Sequence, residues 1–328
     1  MSSPANEIRT RVQTGSVPST GATEGGSKNP PSVGVVVVNY NLKDSLRATL
    51  QSIQQVNYPA FSIVVCDNAS KDGSQEMVRR EFPDVHLIAN PKELGYAKAA
   101  SLGMEYMAPR HPYIFSTTND VTLAPDIFTV LVEAAEKDPA LGVIGTKIFF
   151  YDRPTVLWHA GAKVHWFHGH SFHYGYNQDD QPRFDQVREC AYVTGCGVLL
   201  RSALVQRIGG FKEDLVFYFE DADLCLRAWE AGSRVIYLPA AKMWHKTSTT
   251  LARNRSLQLR YSTRNNLYFL QRHQPRIGGS WPTHWTYVWL TCPLKMAYFC
   301  LWGQWKNAVG IWRGIQDWRQ GKYGMIGS

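Results

Sequence analysis

The chain of 328 residues is 44% hydrophobic and 12% aromatic, enough apolar material for a sizeable core and more length than one core usually fills, so a main domain with an attached piece is expected. Six cysteines, at 66, 190, 196, 225, 292 and 300, form no C-x-x-C pair, which excludes a disulfide-stapled fold and suits a reducing cytoplasm. The formal charge of +8 is uneven: from residue 241 onward 13 Lys and Arg stand against one acid, Asp317, which leaves about −4 for residues 1–240.

Residues 1–31, beginning MSSPANEIRT, are rich in Ser, Thr, Gly and Pro and carry no apolar run of the signal-peptide kind. They read as a disordered lead-in. Order is expected from Val33. VGVVVV is a β-branched run of the type buried on both faces of a parallel sheet, followed by a helical pattern from Asp44 to Gln55. FSIVVC is a second such strand, then come a helix from about Asp72 to Phe82, the strand VHLIA, a helix from Tyr96 to Met107, and the strand YIFST. This alternation is the pattern of a doubly wound α/β sheet, whose ligands bind beyond the carboxyl ends of the strands.

The residues just after each strand therefore matter most: NYN after the first, DNASKDGS after the second and TTND after the fourth. No G-x-G-x-x-G and no Walker A loop is present, so the usual dinucleotide and P-loop cradles are missing. Asp67 and Asn68 instead offer an acceptor and an amide suited to a base edge or ribose hydroxyls. Ser70, Asp72 and Gly73 suit a capped turn, and Asp126, after Pro125, reads as a helix cap.

VVVVNYN, VVCDNASKDGS, ANPKELGYAKAASLG, TTNDVTLAPD, VTGCGVLLRSALVQRIGGFKEDLVFYFEDADLCLRAWEAG and WHKTS occur in the order and approximate spacing of family 2 glycosyltransferases, from about Val33 to Ser248. Within that family the chain most resembles the bacterial rhamnosyltransferase-type branch. The resemblance implies a GT-A catalytic domain over residues 32–250, Rossmann-like with a mostly parallel sheet and flanking helices, a nucleotide-sugar donor and inversion at the anomeric carbon. It also implies donor contacts at Asn39, Asn41, Asp67, Asn68, Gly95, Lys98 and Asn119, and acceptor-side contacts at Gly195 and Cys196. Ser101 stands where similar enzymes commonly carry Asn.

Moving a sugar from a nucleoside diphosphate builds charge on the departing diphosphate, and a divalent ion held by a carboxylate offsets it. Asp120 is the candidate. It closes Thr118-Asn119-Asp120 where similar enzymes carry a D-x-D type triplet, and its single carboxylate suits a water-rich Mg²⁺ or Mn²⁺. The resemblance adds His245 as metal ligand or diphosphate contact, with Lys246 beside it. In FYFEDADLCLRAWEAG it assigns the general base to Asp221 and places Glu220 in the acceptor pocket. Glu220, Asp221 and Asp223 would also suit the positive end of a helix dipole, although the aromatic VFYF before them reads as a pocket wall. Cys196 is taken as packing, because single-step inversion needs no covalent intermediate. His159, His165, His168, His170 and His173 show no familiar zinc spacing and read as a loop or hairpin near the acceptor side.

Residues 251–328 are expected to form a basic, Trp-rich helical tail. Trp281, Trp285, Trp289, Trp302, Trp305, Trp312 and Trp318 are seven of the 11 tryptophans, and Trp among Lys and Arg suits a lipid headgroup surface. No helix-turn-helix, RNP or zinc-finger pattern points to nucleic acid. WPTHWTYVWLTCPLKMAYFCLW is broken by Pro293 and Lys295, so it is expected to lie on a bilayer rather than cross it. Trp305, Val309, Trp312 and Ile315 share one helical face, with packing on the domain or on a second copy in a homodimer as the alternative. The resulting reading is a cytoplasmic enzyme, peripheral at the inner face of the cell membrane, that works in cell-surface polysaccharide synthesis. Its donor is a dTDP-, UDP- or GDP-sugar, dTDP-rhamnose first, and its acceptor a glycan or a polyprenyl-diphosphate-linked sugar. Two other readings stay open. A sugar-1-phosphate nucleotidyltransferase would want a Gly-rich, Arg-containing loop in place of NYNLKDSL; a non-catalytic glycan-binding or scaffold subunit suits the incomplete triplet but not the intact FEDAD.

Overall fold

The computed structural model describes residues 29–165, 170–247, 254–273 and 286–326; residues 1–28 of the lead-in, His168, Trp281 and Trp285 lie outside them, as do the side chains of His165 and His170. Strand β1 (Val33–Asn39) is buried along its whole length. Its alternate valines divide between two cores: Val36 and Val38 meet Ala97, Ala100 and Met104 on one face, and Val35 and Val37 meet Leu46, Leu50 and Phe128 on the other. Helix α1 (Lys43–Gln54), β2 (Phe61–Asp67), α2 (Ser74–Glu81), β3 (His86–Ala89), α3 (Tyr96–Met107) and β4 (Tyr113–Thr118) follow the expected alternation, their ends shifted by no more than two residues. β1 runs parallel to β2 and β4, and β2 to β3. The register sets Asn39 beside Asp67 and Val38 beside Thr118, which lines up the strand ends as one rim.

Beyond β4 the pattern changes. The chain continues through β5 (Val121–Leu123), α4 (Ile127–Lys137), β6 (Leu141–Phe150), β7 (Val156–His159), β8 (Ala162–His165), β9 (His170–His173), β10 (Gln178–Asp179), β11 (Arg188–Glu189), β12 (Gly197–Arg201), α5 (Ser202–Ile208), α6 (Glu220–Glu230) and β13 (Arg234–His245). β12 lies antiparallel between β4 and β6, while β13 is parallel to β6 and antiparallel to β5. The sheet is therefore mixed, with its parallel half at β3-β2-β1-β4. Pairing of β13 with β5 sets His245 against Val121, and so beside Asp120 across 125 residues of sequence.

The tail folds onto the domain. Helix α7 (Arg255–His273) is covered by α9 (Trp305–Arg319), which the π-helical turn Tyr287–Thr291 and α8 (Cys292–Leu301) precede. Leu267, Leu270, Ile311 and Ile315 form their common core. On α9 the Trp305–Val309–Trp312–Ile315 stripe divides: Ile315 is buried together with Ala308, Gly310, Ile311 and Gly314, and Trp305 and Trp312 stand outside. Close approach is the reason. A side chain at Gly310 would put its Cβ 2.3 Å from the Ser256 carbonyl oxygen, and Gly314 has similarly little room against Arg260. Arg260 then pairs with Asp317 through two hydrogen bonds, at 2.5 and 2.9 Å. The outer side of the hairpin exposes Trp289, Leu294, Tyr298, Leu301, Trp302, Trp305 and Trp312. Among the described residues no helix is long and apolar enough to cross a membrane.

Candidate active site

A cavity of about 770 Å³ opens at the ends of β1, β2 and β4, and its wall includes Asn68, Asn119, Asp120, Gly195, Cys196, Glu220, Asp221 and His245. Those expected site residues are brought together from five separate stretches of chain. Asn39 and Asp67 are placed differently. Both are fully buried beneath the rim: Asn39 Nδ2 donates to Asp67 Oδ2 at 2.7 Å and to Ser70 Oγ at 3.1 Å, and Asn39 Oδ1 accepts from Asn119 Nδ2 at 2.5 Å. Asp67 Oδ1 accepts from the Ser70 backbone N–H at 2.9 Å and from Gln75 Nε2 at 2.7 Å. Their capacity is spent on shaping the loop after β2. Asn41, exposed and at φ 50°, clips that loop through the Lys71 N–H at 2.8 Å.

Asn68 is held in place by Gly95, whose carbonyl accepts its Nδ2 at 3.0 Å. Gly95 has φ 79° and would drive a Cβ to within 2.3 Å of Val216 Cγ1, so its lack of a side chain serves packing against the loop before α6. Lys98 is a correction to the expected donor contacts. One turn into α3 it points away from the cavity and forms an ion pair with Glu213. Ser101 likewise turns to structure, donating to the Phe211 carbonyl at 2.9 Å.

Beyond β4, Asp120 Oδ1 accepts from Thr118 Oγ1 at 2.8 Å and lies 3.1 Å from His245 Nε2. Among the described residues no three His, Cys, Asp or Glu gather closely enough to hold an ion by themselves. One carboxylate and one imidazole on the cavity wall nevertheless fit a hard divalent ion that takes its remaining ligands from phosphate oxygens and water. The buried His245 Nδ1 has no protein partner to fix its tautomer.

The opposite chemistry gathers at the start of α6. Phe217, Tyr218 and Phe219 line the cavity as the expected aromatic wall, with Glu220 and Asp221 following. Burial pushes the Asp221 carboxyl up to about 6, opposed by the Ala222 and Gly195 backbone N–H groups and the Thr194 hydroxyl. Glu220 is raised well above the usual range by burial and by the charge of Asp221, and its Oε2 has no partner. Tyr96, Tyr192, Cys196 and Cys225 also face Asp221, and burial holds all four in their neutral forms. Asp223 belongs elsewhere. Burial pushes its carboxyl up, but His273 at 2.9 Å and Arg227 at 2.6 Å outweigh that and hold it below its ordinary value, so it ties α6 to α7.

Gly195 leaves room for the Tyr96 hydroxyl, which donates to its carbonyl at 2.9 Å. The histidine-rich stretch does form a hairpin, β8–β9, with His173 in the cavity wall. Burial lowers the His173 ring to about 4 and takes His159 well below its ordinary value, so both are neutral, packed edge to face at 4.6 Å. Trp158 and Tyr192 line the cavity without any signal in sequence spacing. Arg264 and Asn265, behind the loop before α6, were also missed; a run of polar residues in mid-helix, Arg264-Asn265-Asn266, all buried, was the available clue.

The comparisons agree with this geometry. Residues 30–263 match the family described as glycosyltransferase like family 2. The chain is 26% identical over 276 residues, 77% of its length and 88% of the relative's, to the N-acetylglucosaminyl-diphospho-decaprenol L-rhamnosyltransferase of Mycobacterium tuberculosis. It is 24% identical over 233 residues to the O-antigen biosynthesis protein RfbC of Myxococcus xanthus, covering 68% of this chain and 18% of that one. Among solved structures, the mannosyltransferase PcManGT of Pyrobaculum calidifontis in complex with GDP-Man and Mn²⁺ aligns over 97% of this chain and 94% of its own, with a TM-score of 0.57 and 16% identity. GalNAc-T7 with UDP, GalNAc and Mn²⁺ aligns over 75% of this chain and 48% of its own, with a TM-score of 0.58 and 15% identity. At these identities the structures establish the fold, a GT-A-like arrangement. The match over residues 30–263 takes in β1 through β13 and the whole cavity wall named above, and on it the chain belongs to glycosyltransferase family 2.

Proposed function

We propose that the protein is an inverting, metal-dependent glycosyltransferase that moves L-rhamnose from dTDP-rhamnose to a sugar on a polyprenyl-diphosphate carrier. One observation carries the reading: a carboxylate–imidazole pair, Asp120 and His245, and a buried carboxylate pair, Glu220 and Asp221, line a single cavity. Asp120 and His245 would hold the divalent ion, which when bound offsets charge on the departing diphosphate. Ionised Asp221 takes the proton from the acceptor hydroxyl as its oxygen attacks the anomeric carbon and the bond to the diphosphate breaks. Glu220, protonated over a wider pH range, donates a hydrogen bond to the acceptor or to Asp221. The rhamnosyl donor and lipid-linked acceptor rest on the similarity to the mycobacterial enzyme. A nucleotidyltransferase and a non-catalytic subunit are disfavoured by the loop after β1 and by the intact carboxylate pair. In a thermal-unfolding screen with Mn²⁺, dTDP-rhamnose is expected to protect more than UDP- or GDP-sugars, and EDTA to abolish the difference. Stronger protection by another nucleotide sugar would replace the donor.

We further propose that the exposed ridge of α8 and α9 rests on the inner face of the cell membrane. Trp302 and Trp305 stand 68% and 61% exposed, an arrangement that water penalises and a headgroup layer rewards. Lys306, Arg313 and Arg319 lie on the same helix to meet anionic lipid. The protein is expected to co-sediment with vesicles containing anionic lipid, less so at high salt, and the Trp302→Ser/Trp305→Ser variant to stay in the supernatant while remaining folded. A variant that sediments unchanged, or a wild-type protein whose ridge is instead covered by a second copy in solution, would refute this.

A further inference from the structure

Asn265 lies fully buried in the middle of α7 and does not line the cavity. Its Nδ2 reaches three carbonyl oxygens of one loop: Leu215 at 2.5 Å, Phe217 at 2.6 Å and Tyr218 at 3.1 Å. Its Oδ1 accepts from Arg264 Nε at 2.9 Å, and the same guanidinium goes on to the carbonyls of Asp214 at 3.2 Å and Gly324 at 2.7 Å. An amide carries two N–H hydrogens, so the whole donor capacity of Asn265 is given to this loop.

The loop is unusual. Val216, Tyr218 and Phe219 have φ of 60°, 69° and 70°, a region that side-chain-bearing residues avoid and β-branched valine avoids most. Such backbone persists only where its surroundings over-determine it. Here the surroundings are Asn265, Arg264, the Ala97 N–H on the Val216 carbonyl at 3.0 Å, and the space left by Gly95. The loop leads straight into the carboxylate pair, and the Phe219 carbonyl accepts the Asp223 N–H at 2.9 Å as α6 begins.

We infer that Asn265 is a positioning residue for the transfer step: its carboxamide fixes the left-handed turn that aims Asp221 at the acceptor hydroxyl. The inference rests on the proposed role of Asp221 as base. Strain held beside a reacting group by a distant helix is the arrangement expected when geometry, rather than contact with substrate, is what the residue supplies.

Asn265→Ala and Asn265→Gln in the full chain, with Asp221→Asn alongside, test it. Asn265→Ala is expected to lower kcat about 10²-fold, the scale of a reacting group misplaced by roughly 1 Å, with the KM for the nucleotide sugar unchanged. The acid limb of kcat, which follows Asp221, should move away from about 6 as the carboxyl loses its fixed burial. Asn265→Gln, which keeps the amide but displaces it, should recover part of both. A folded Asn265→Ala with lowered melting temperature but wild-type kcat and acid limb would overturn the inference, as would failure of both variants to fold, since either result makes Asn265 a brace of the fold alone. If Asp221→Asn transfers sugar normally, the base assignment itself falls and takes the inference with it. An inactive Asp221→Asn beside a normal Asn265→Ala removes the inference only.

Discussion

Asp221→Asn is expected to bind the nucleotide sugar as wild type does and to transfer it about 10²–10⁴ times more slowly, the usual loss for a missing general base. The carboxamide keeps the size of the side chain and can still accept the Ala222 N–H, which reaches Oδ1 at 2.8 Å. What it cannot do is take a proton. In the wild type, kcat should fall as pH drops through about 6, because Asp221 is then protonated. Stability should move the other way. The folded state holds this proton more tightly than the unfolded chain, where a carboxyl titrates near 3.8, so the favourable contribution is present below 3.8 and is lost as pH rises through about 6. Asp221→Asn removes that loss, and its melting temperature should exceed the wild type's at pH 7.5, with the gap closing near pH 4. Undiminished transfer, or a product that retains the donor's anomeric configuration, would refute the base assignment.

Asp120→Asn is expected to lower transfer about 10²–10³-fold, the range found when one preorganised group that stabilises developing charge is removed. Mn²⁺ should tighten donor binding in the wild type and have little effect in the variant, measured by calorimetry with and without EDTA. The amide retains the position and can still accept from the Thr118 hydroxyl, now at 2.8 Å from Oδ1, so the fold should hold. His245→Ala, which removes the second wall ligand but leaves the carboxylate, should give a smaller loss. Full activity of the wild type in EDTA would end the metal assignment for both residues.

The parallel half of the fold was legible because its signals are local. VGVVVV and FSIVVC can be satisfied only between two layers, and the helices between them carry their own periodicity. The second half was not legible from periodicity, since the antiparallel place of β12 and the pairing of β13 with β5 depend on contacts far apart in sequence. Asp120, His245, Glu220 and Asp221, singled out through motif order, line one cavity. Lys98 was misplaced because a helix face cannot be oriented from a motif, and Glu213, its partner, comes from a loop more than a hundred residues later. Trp305 and Trp312 stand exposed while Ile315 of the same stripe is buried, because the glycines at 310 and 314 decide which side of α9 can approach α7.

The bonds from Arg264 to the carbonyls of Asp214 and Gly324, and from the Gly324 N–H to the Asp214 carbonyl at 2.9 Å, tie the loop before α6 to the end of the chain. Along the chain the strands of the sheet, the rim at their ends and α6 all precede α7, α8 and α9. Until residue 324 has been made, the loop that presents Asp221 lacks part of its frame. The frame of the loop before Glu220 and Asp221 thus draws on residues as far apart as 214 and 324 and is complete only when the tail is in place.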